Sequence, residues 1–241
     1  MGNKKPLDAQ ADDREQLSLN YQPTTESPSL GVCFTALNEA PRIAAAIAQF
    51  YPYVEGIAVI VDDRTTDKTV EWAERMGATV KMHTWNDSWC KAKNASMDML
   101  DTDWVYVSDC DELLEPSLLA MLPSLIAPSG QILLMREGAL PSGGKFFDCY
   151  GLPRKNFIDG AQTDVYPDYQ YRLLAKHVRY DPNGKQVHQE VMGFKERTEI
   201  DFKRCTLDNL SRFNILHYKS STVDARQNAL YDDLKKKGID V

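Results

Sequence analysis

The sequence is short of several things, and each shortage removes a class of protein. No apolar run approaches the ~20 residues that a membrane-crossing helix needs, so stable membrane insertion is not expected. Positive charge is not in excess: 28 Lys and Arg stand against 35 Asp and Glu, a net charge of -7. Such a chain lacks the broad basic footprint of a nucleic-acid binder, although a local basic groove stays open. The five cysteines, Cys33, Cys90, Cys110, Cys149 and Cys205, are scattered and form no C-x-x-C. Reduced thiols in a cytoplasmic protein are expected, not a disulfide framework or a cysteine zinc site. The opening "MGNKKPLDAQADDREQ" has no apolar segment of a secretory signal, and Pro6 stands where a myristoylation signal carries Ser or Thr.

What remains is an ordinary globular composition of 241 residues, 43% of them hydrophobic. That suffices for one full-sized core, or one core with an appended lobe. Residues 1–28 are polar and carry Pro6, Pro23 and Pro28, as a tail or surface strap would. From residue 29 the pattern changes. Continuously apolar runs ("SLGVCFTAL", "GIAVIVDD", "ATVKMHTW", "DWVYVSD") alternate with helical patterns ("APRIAAAIAQF", "TDKTVEWAERMG", "SWCKAKNASMDMLD", "EPSLLAMLPSLI"). Alternating βα units with strands apolar on both faces predict a parallel sheet over 29–127. Residues 128–222 are less regular. "GQILLMREGAL" is expected to be a strand, followed by glycine-, proline- and aromatic-rich loops. Two strands joined by "DPNG" come next, and 223–241 is expected to hold a final helix.

Chemistry concentrates where the parallel strands end, because ligands of such sheets bind at their carboxyl ends. The first strand delivers Thr35, Asn38 and Glu39, the second Asp62, Asp63 and Arg64, and the fourth Asp109 and Asp111. In an extended segment the Asp109-Cys110-Asp111 spacing puts both carboxylates on one side. Such a pair suits a hard divalent cation, Mn²⁺ or Mg²⁺, shared with phosphates. A solvated strand end that caps the next helix would use the same residues. Asp67 is assigned to capping the helix after "DDRTTD".

The ordered set "TALNEAPRI", "VIVDDRTTDKTVEWAERMGATV" and "WNDSWCKAKNASMDMLDTDWVYVSDCDELLEP" resembles the family 2 glycosyltransferases of the GT-A fold. The resemblance covers about 90 residues in order and continues loosely through "PRKNF", "YPDYQYRLL", "VHQE" and "ILHY". It is nearest to the branch containing bacterial lipopolysaccharide-core glucosyltransferases and peptide S-glycosyltransferases. Arg64-Thr65 stands where that family has Gly-Ser, Lys93 where Arg is commoner, and "VHQE" where Val-His-Glu is usual.

The resemblance implies a Rossmann-like α/β fold, with a mostly parallel central sheet flanked by helices and a loop-rich acceptor-side half. It implies a metal-dependent inverting transfer from a nucleotide diphosphate sugar, a UDP-sugar foremost. Thr35, Leu37 and Glu39 would line the nucleoside pocket, and Asp63 or Asp62 would bond base or ribose. Lys93 would face the nucleotide, Asp109 ribose or metal, and Asp111 would be the main metal ligand. His188 would complete the metal site, with His217 as its competitor. Asp168 would be the base that deprotonates the acceptor, with Glu190 and Glu137 as alternatives. A glycan, a lipid-linked sugar, a peptide and a modified nucleic-acid base stay open as acceptors. The expected location is cytoplasmic, free or peripheral at the inner membrane surface. Nucleotidyl transfer on a related fold is the other enzyme class to weigh. The absence of G-x-G-x-x-G and G-x-x-x-x-G-K-[ST] speaks against it, and a non-catalytic sugar-nucleotide binder is the third reading.

Overall fold

The computed structural model describes residues 27–86, 88–136, 146–184, 189–199 and 213–222, with Asp232 and Lys236. His188, Glu137, Cys205, nearly all of the polar tail and nearly all of the expected final helix lie outside the described residues.

The first half follows the periodicity. Strands β1 (Leu30–Ala36), β2 (Gly56–Asp62), β3 (Thr79–His83) and β4 (Trp104–Ser108) alternate with helices α1 (Ile43–Ala48), α2 (Thr69–Arg75) and α3 (Trp89–Met97). The four strands are parallel in the order β3-β2-β1-β4. β4 is buried along its whole length, as a central strand covered on both faces must be. Ile43, Ile47 and Phe50 recur at helical spacing and are fully buried. Phe50 bridges Phe34 of β1 and Tyr106 of β4, with ring centroids 6.1 and 5.2 Å away. Burying each such side chain contributes about 1.5–3 kcal/mol. Gly31 admits close packing: a Cβ there would lie 2.8 Å from Thr102 Oγ1 and 2.9 Å from Leu100 Cδ1. Gly77, at φ +73°, turns the chain out of α2 as expected. Asp67 lies one residue too early to be the N-cap. It accepts from the Thr69 N–H (2.9 Å) in a local Asx turn and from the Ala40 N–H (3.1 Å), tying α2 to the loop after β1.

The chain departs from expectation in two places. Residues 112–114 form a short strand, β5 (Glu112–Leu114), ahead of α4 (Pro116–Ile126). The expected strand in "GQILLMREGAL" is instead a helix, α5 (Pro128–Arg136). A short apolar run does not by itself distinguish strand from helix. Here Leu and Met are good helix formers, and Pro128 suits a first turn. Buried Gln131 also ties the helix to both backbone groups of Phe147 (2.9 and 3.2 Å). The remaining strands are β6 (Cys149–Ile158), β7 (Ala161–Gln162), β8 (Asp168–Ala175), β9 (Arg179–Tyr180), β10 (Val191–Met192), β11 (Arg197–Glu199) and β12 (Ile215–Lys219). They extend the sheet as β4-β8-β6-β12-β5, while β9 and β10 form a separate antiparallel pair.

Register is what builds the site. β8 runs antiparallel to β4, so its early residues lie at the carboxyl rim of β4. β6 pairs with β8, setting Arg154 opposite Asp168. β12 runs parallel to β6 with His217 opposite Asn156, and antiparallel to β5 with His217 opposite Glu112. β5 and three strands of the irregular half, β6, β8 and β12, therefore bring side chains to the rim where the parallel strands end. Cys33, Cys90, Cys110 and Cys149 are buried and form no disulfide, as the scattered spacing implied. Among the described residues no helix is long and apolar enough to cross a membrane.

Candidate active site

β4 ends at Ser108, and the acids that follow are in a turn rather than an extended segment. The Glu112 N–H donates to the Asp109 carbonyl at 3.2 Å, and β5 starts at once. The turn sends the two aspartates to different partners. Cys110 is buried between them, its Sγ 3.8 Å from the Thr35 carbonyl.

Asp109 joins a buried charge network. Arg172 donates through Nη2 to Asp109 Oδ2 and to Glu112 Oε1, the latter at 2.6 Å. Arg154 Nη1 donates to the same Glu112 oxygen at 3.1 Å, and its Nε and Nη2 donate to Asp168 Oδ2 at 3.0 and 2.7 Å. Lys93 Nζ lies 3.5 Å from Asp109 Oδ1 and donates to Gln189 Oε1 at 2.9 Å. Arg172, Lys93 and Glu112 are nearly inaccessible to water. Three cations thus face three carboxylates, and each would be costly to bury alone. Burial would raise the Asp109 carboxyl, but Arg172 and Lys93 outweigh it and hold it far below the usual range. Burial lowers Lys93, opposed by Asp109. Arg172 Nε and the Tyr106 hydroxyl are buried without a hydrogen-bond partner.

Asp168 is engaged on both oxygens. Oδ2 accepts from Arg154 and from Asn156 Nδ2 (2.9 Å), and Oδ1 accepts from Gln170 Nε2 (2.8 Å). Burial would raise its pKa, but Arg154 and these donors bring it below the usual carboxylate range. An ionised carboxylate with that many donors has little basicity left for an incoming proton.

Asp111 looks the other way. Its Oδ2 lies 3.2 Å from His217 Nε2, and His217 Nδ1 lies 2.7 Å from Asn156 Oδ1. Glu39 is close enough for Asp111 to act on it. Burial first, then the Asp111 and Asp67 charges, raise Glu39 to about 7, against the pull of Arg42. Two carboxylates and an imidazole nitrogen are the hard-to-borderline donors that suit Mn²⁺ or Mg²⁺. Among the described residues no three His, Cys, Asp or Glu side chains are grouped closely enough to hold an ion by themselves. An ion at Asp111 would take further oxygens from a phosphate ligand, as Mg²⁺-type sites commonly do.

The other expected residues line the rim of β1 and β2. Thr35 is half-buried and Leu37 exposed. Asn38, at φ 55°, accepts through Oδ1 from the Thr66 N–H at 2.8 Å, joining the two loops. Asp62 is nearly buried, with both oxygens taken by Arg64 (2.8 and 2.6 Å). Asp63 is exposed on the rim, its N–H bonded to the His83 carbonyl. Arg64, in place of glycine, lies over the Trp85 ring at 5.4 Å.

Sequence reasoning missed Arg172, Asn156 and the centrality of Glu112. Arg172 was visible only as a neighbour of Asp168, and no local spacing connects it to Asp109, 63 positions away.

The parallel strands, the two aspartates at their rim and the buried cations beneath them make up an α/β domain with a mostly parallel sheet flanked by helices. Residues 32–135 match the model of Glycosyl transferase family 2. An uncharacterized glycosyltransferase of Rickettsia felis is 33% identical over 137 residues. The match covers 52% of this chain and 48% of that protein, so the chain spans about half the length of this curated relative. Among solved structures, glucosyl-3-phosphoglycerate synthase of Mycobacterium tuberculosis, in complex with Mn²⁺, UDP and glucosyl-3-phosphoglycerate, matches at TM-score 0.36 and 21% identity, over 55% of this chain and 45% of that one. A mannosyltransferase of Pyrobaculum calidifontis with GDP-Man and Mn²⁺ matches at TM-score 0.40 and 16% identity, over 59% and 41%.

Proposed function

We propose that the protein is an inverting glycosyltransferase that transfers a hexose from a UDP-sugar, with Mn²⁺ or Mg²⁺ held at Asp111. The observation that carries this reading is the pairing of Asp111 with His217 at the rim of the domain that matches family 2. Asp111 Oδ2 and His217 Nε2 lie 3.2 Å apart, close to Glu39, and each can offer a lone pair to a cation. Asp111 and His217 would hold the metal. His188, the other candidate, lies outside the described residues. A divalent ion bound there supplies charge stabilisation for a leaving diphosphate.

The chain's own residues do the rest. Thr35, Leu37 and the open carboxylate of Asp63 receive the nucleoside, since Asp62 is occupied by Arg64. Asp109, neutralised by Arg172 and Lys93, forms a fixed polar floor that can accept from ribose without carrying net charge into the site. Asp168 stays a site residue with a changed role: it anchors Arg154 and Asn156. The acceptor proton then goes to another carboxylate. Glu190 is the described alternative; it is exposed and adjacent to Gln189, the partner of Lys93. The acceptor is a glycan, a lipid-linked sugar, a peptide or a base. The protein works in the cytoplasm or at the inner membrane surface.

Thermal stabilisation by UDP, GDP, CDP and dTDP, each with and without Mn²⁺, tests the donor and metal together. A ligand at a hundredfold excess over its Kd stabilises by about 2.7 kcal/mol. UDP is expected to give the largest shift, increased by Mn²⁺, and UDP release from a UDP-hexose should follow. No shift with any nucleotide from folded protein overturns the reading.

A further inference from the structure

The hydrogen bonds around His217 can be assigned without seeing a proton. A carboxylate is acceptor-only. The Asn156 side-chain atom 2.9 Å from Asp168 Oδ2 must therefore be the amide nitrogen. The amide oxygen then points the other way, to His217 Nδ1 at 2.7 Å. An amide oxygen accepts only, so Nδ1 carries the hydrogen. That leaves Nε2 as the ring nitrogen facing Asp111 Oδ2, either with a free lone pair or with an exchangeable proton. The assignment runs from Asp168 through Asn156 to His217 Nδ1, each set by the chemistry of the one before, and it leaves Nε2 as the atom that faces Asp111.

The placement is structural as well as chemical. Asn156 and His217 are register partners on parallel β6 and β12, so their side chains emerge side by side on one face. Asp168 is reached across the β6–β8 pair, where it is opposite Arg154. Arg154 and Gln170 occupy the other lone pairs of Asp168, so its carboxylate cannot rotate away from Asn156 without losing charge-assisted bonds. His217 is nearly buried, which makes a ring flip costly.

We infer that Asn156, locked by Asp168, is a positioning residue that holds His217 with Nε2 directed at Asp111, so that the pair is preset to take a divalent cation. The inference rests on the proposed metal site at Asp111 and deepens it. Residues that orient a ligating histidine through its second nitrogen commonly change metal affinity about 10–100-fold when removed.

The test is Mn²⁺ binding to the full chain, read by electron paramagnetic resonance of free Mn²⁺ in the presence of UDP, for wild type, Asp111→Asn and Asn156→Leu. Asp111→Asn is expected to abolish tight Mn²⁺ binding; unchanged binding there removes the metal site itself. Asn156→Leu keeps the size and loses the acceptor. It is expected to weaken Mn²⁺ about 10–100-fold while UDP binding without metal stays within a factor of two. Unchanged Mn²⁺ affinity in Asn156→Leu, with Asp111→Asn defective, overturns the positioning role alone. Nitrogen-15 NMR of the histidine rings in wild-type protein adds a reading that needs no variant. His217 should show a protonated Nδ1, and Mn²⁺ or diamagnetic Mg²⁺ should perturb Nε2. A wild-type spectrum with the proton on Nε2 alone overturns the assignment.

Discussion

The two halves of this sheet are held together differently. In β1 to β4 and their helices the rigidity is apolar: Phe34, Phe50, Tyr106, Ile43 and Ile47 are all sealed from water. In β5, β6, β8 and β12 the sheet carries Arg154, Arg172, Glu112 and Asp168 inward, and ion pairs do what packing does elsewhere. Apolar packing tolerates a change of shape at modest cost. A buried charge network tolerates almost no change of charge. The first half is accordingly a scaffold and the second half an instrument, in which chemical precision is set by fixed hydrogen-bond geometry.

The largest break in this contrast should come from Arg172. Arg172→Met leaves the three carboxylates of the buried network, Asp109, Glu112 and Asp168, to only two cations, Lys93 and Arg154, which should cost about 3–5 kcal/mol in chemical denaturation and abolish transfer. The matched change in the other half, Ile47→Val in the sealed core, should cost only about 0.5–1.5 kcal/mol and leave activity unaltered. Asp111→Asn sharpens the comparison from the other side. The fold should stay intact by melting temperature, whereas turnover should fall about 10²–10³-fold, the usual effect of losing one fixed electrostatic stabiliser.

A smaller effect is tied to pH. Glu39 is raised from 4.5 to about 7 by burial and by Asp111 and Asp67. Between those values the native state holds a proton that the unfolded chain has released, so stability falls as pH rises from about 4.5 to about 7. Denaturation in metal-free buffer should show that negative slope, and Glu39→Gln should flatten it. The smallest effect belongs to the Arg64–Asp62 pair. Arg64 is 55% exposed, so Arg64→Ala should change stability by no more than about 1 kcal/mol. It should affect UDP affinity more than turnover, and titration of UDP into the variant checks this.

Much of the scaffold half was legible because its signals are local. Apolar runs bounded by Gly77 and Pro41 mark strands and helices within a dozen residues. The aspartates at the strand ends were visible for the same reason. The site's second half was not. Asp168 was visible only through the family resemblance, and its engagement by Arg154 and Asn156 depends on residues 12 to 14 positions apart folding back on each other across β6 and β8. His217 and Asp111 are 106 positions apart, and only the β5–β12 pairing makes them neighbours. The helix at Pro128–Arg136 was misread because its apolar residues fit either period, and packing decided.

By itself the sequence determined the alternating α/β order and the rim on which Thr35, Asp63, Asp109 and Asp111 fall, and it carries the likeness of residues 32–135 to Glycosyl transferase family 2. These follow from chemistry repeated along a short stretch of chain. Only the tertiary structure decided which charges neutralise one another and which stay available. It bound Asp109 to Arg172 and left Asp111 facing His217, although the two aspartates are separated by a single residue. The reason is physical: a side chain's ionisation and reach are set by what lies within a few ångströms, and here those neighbours come from strands that only the register of the sheet brings together.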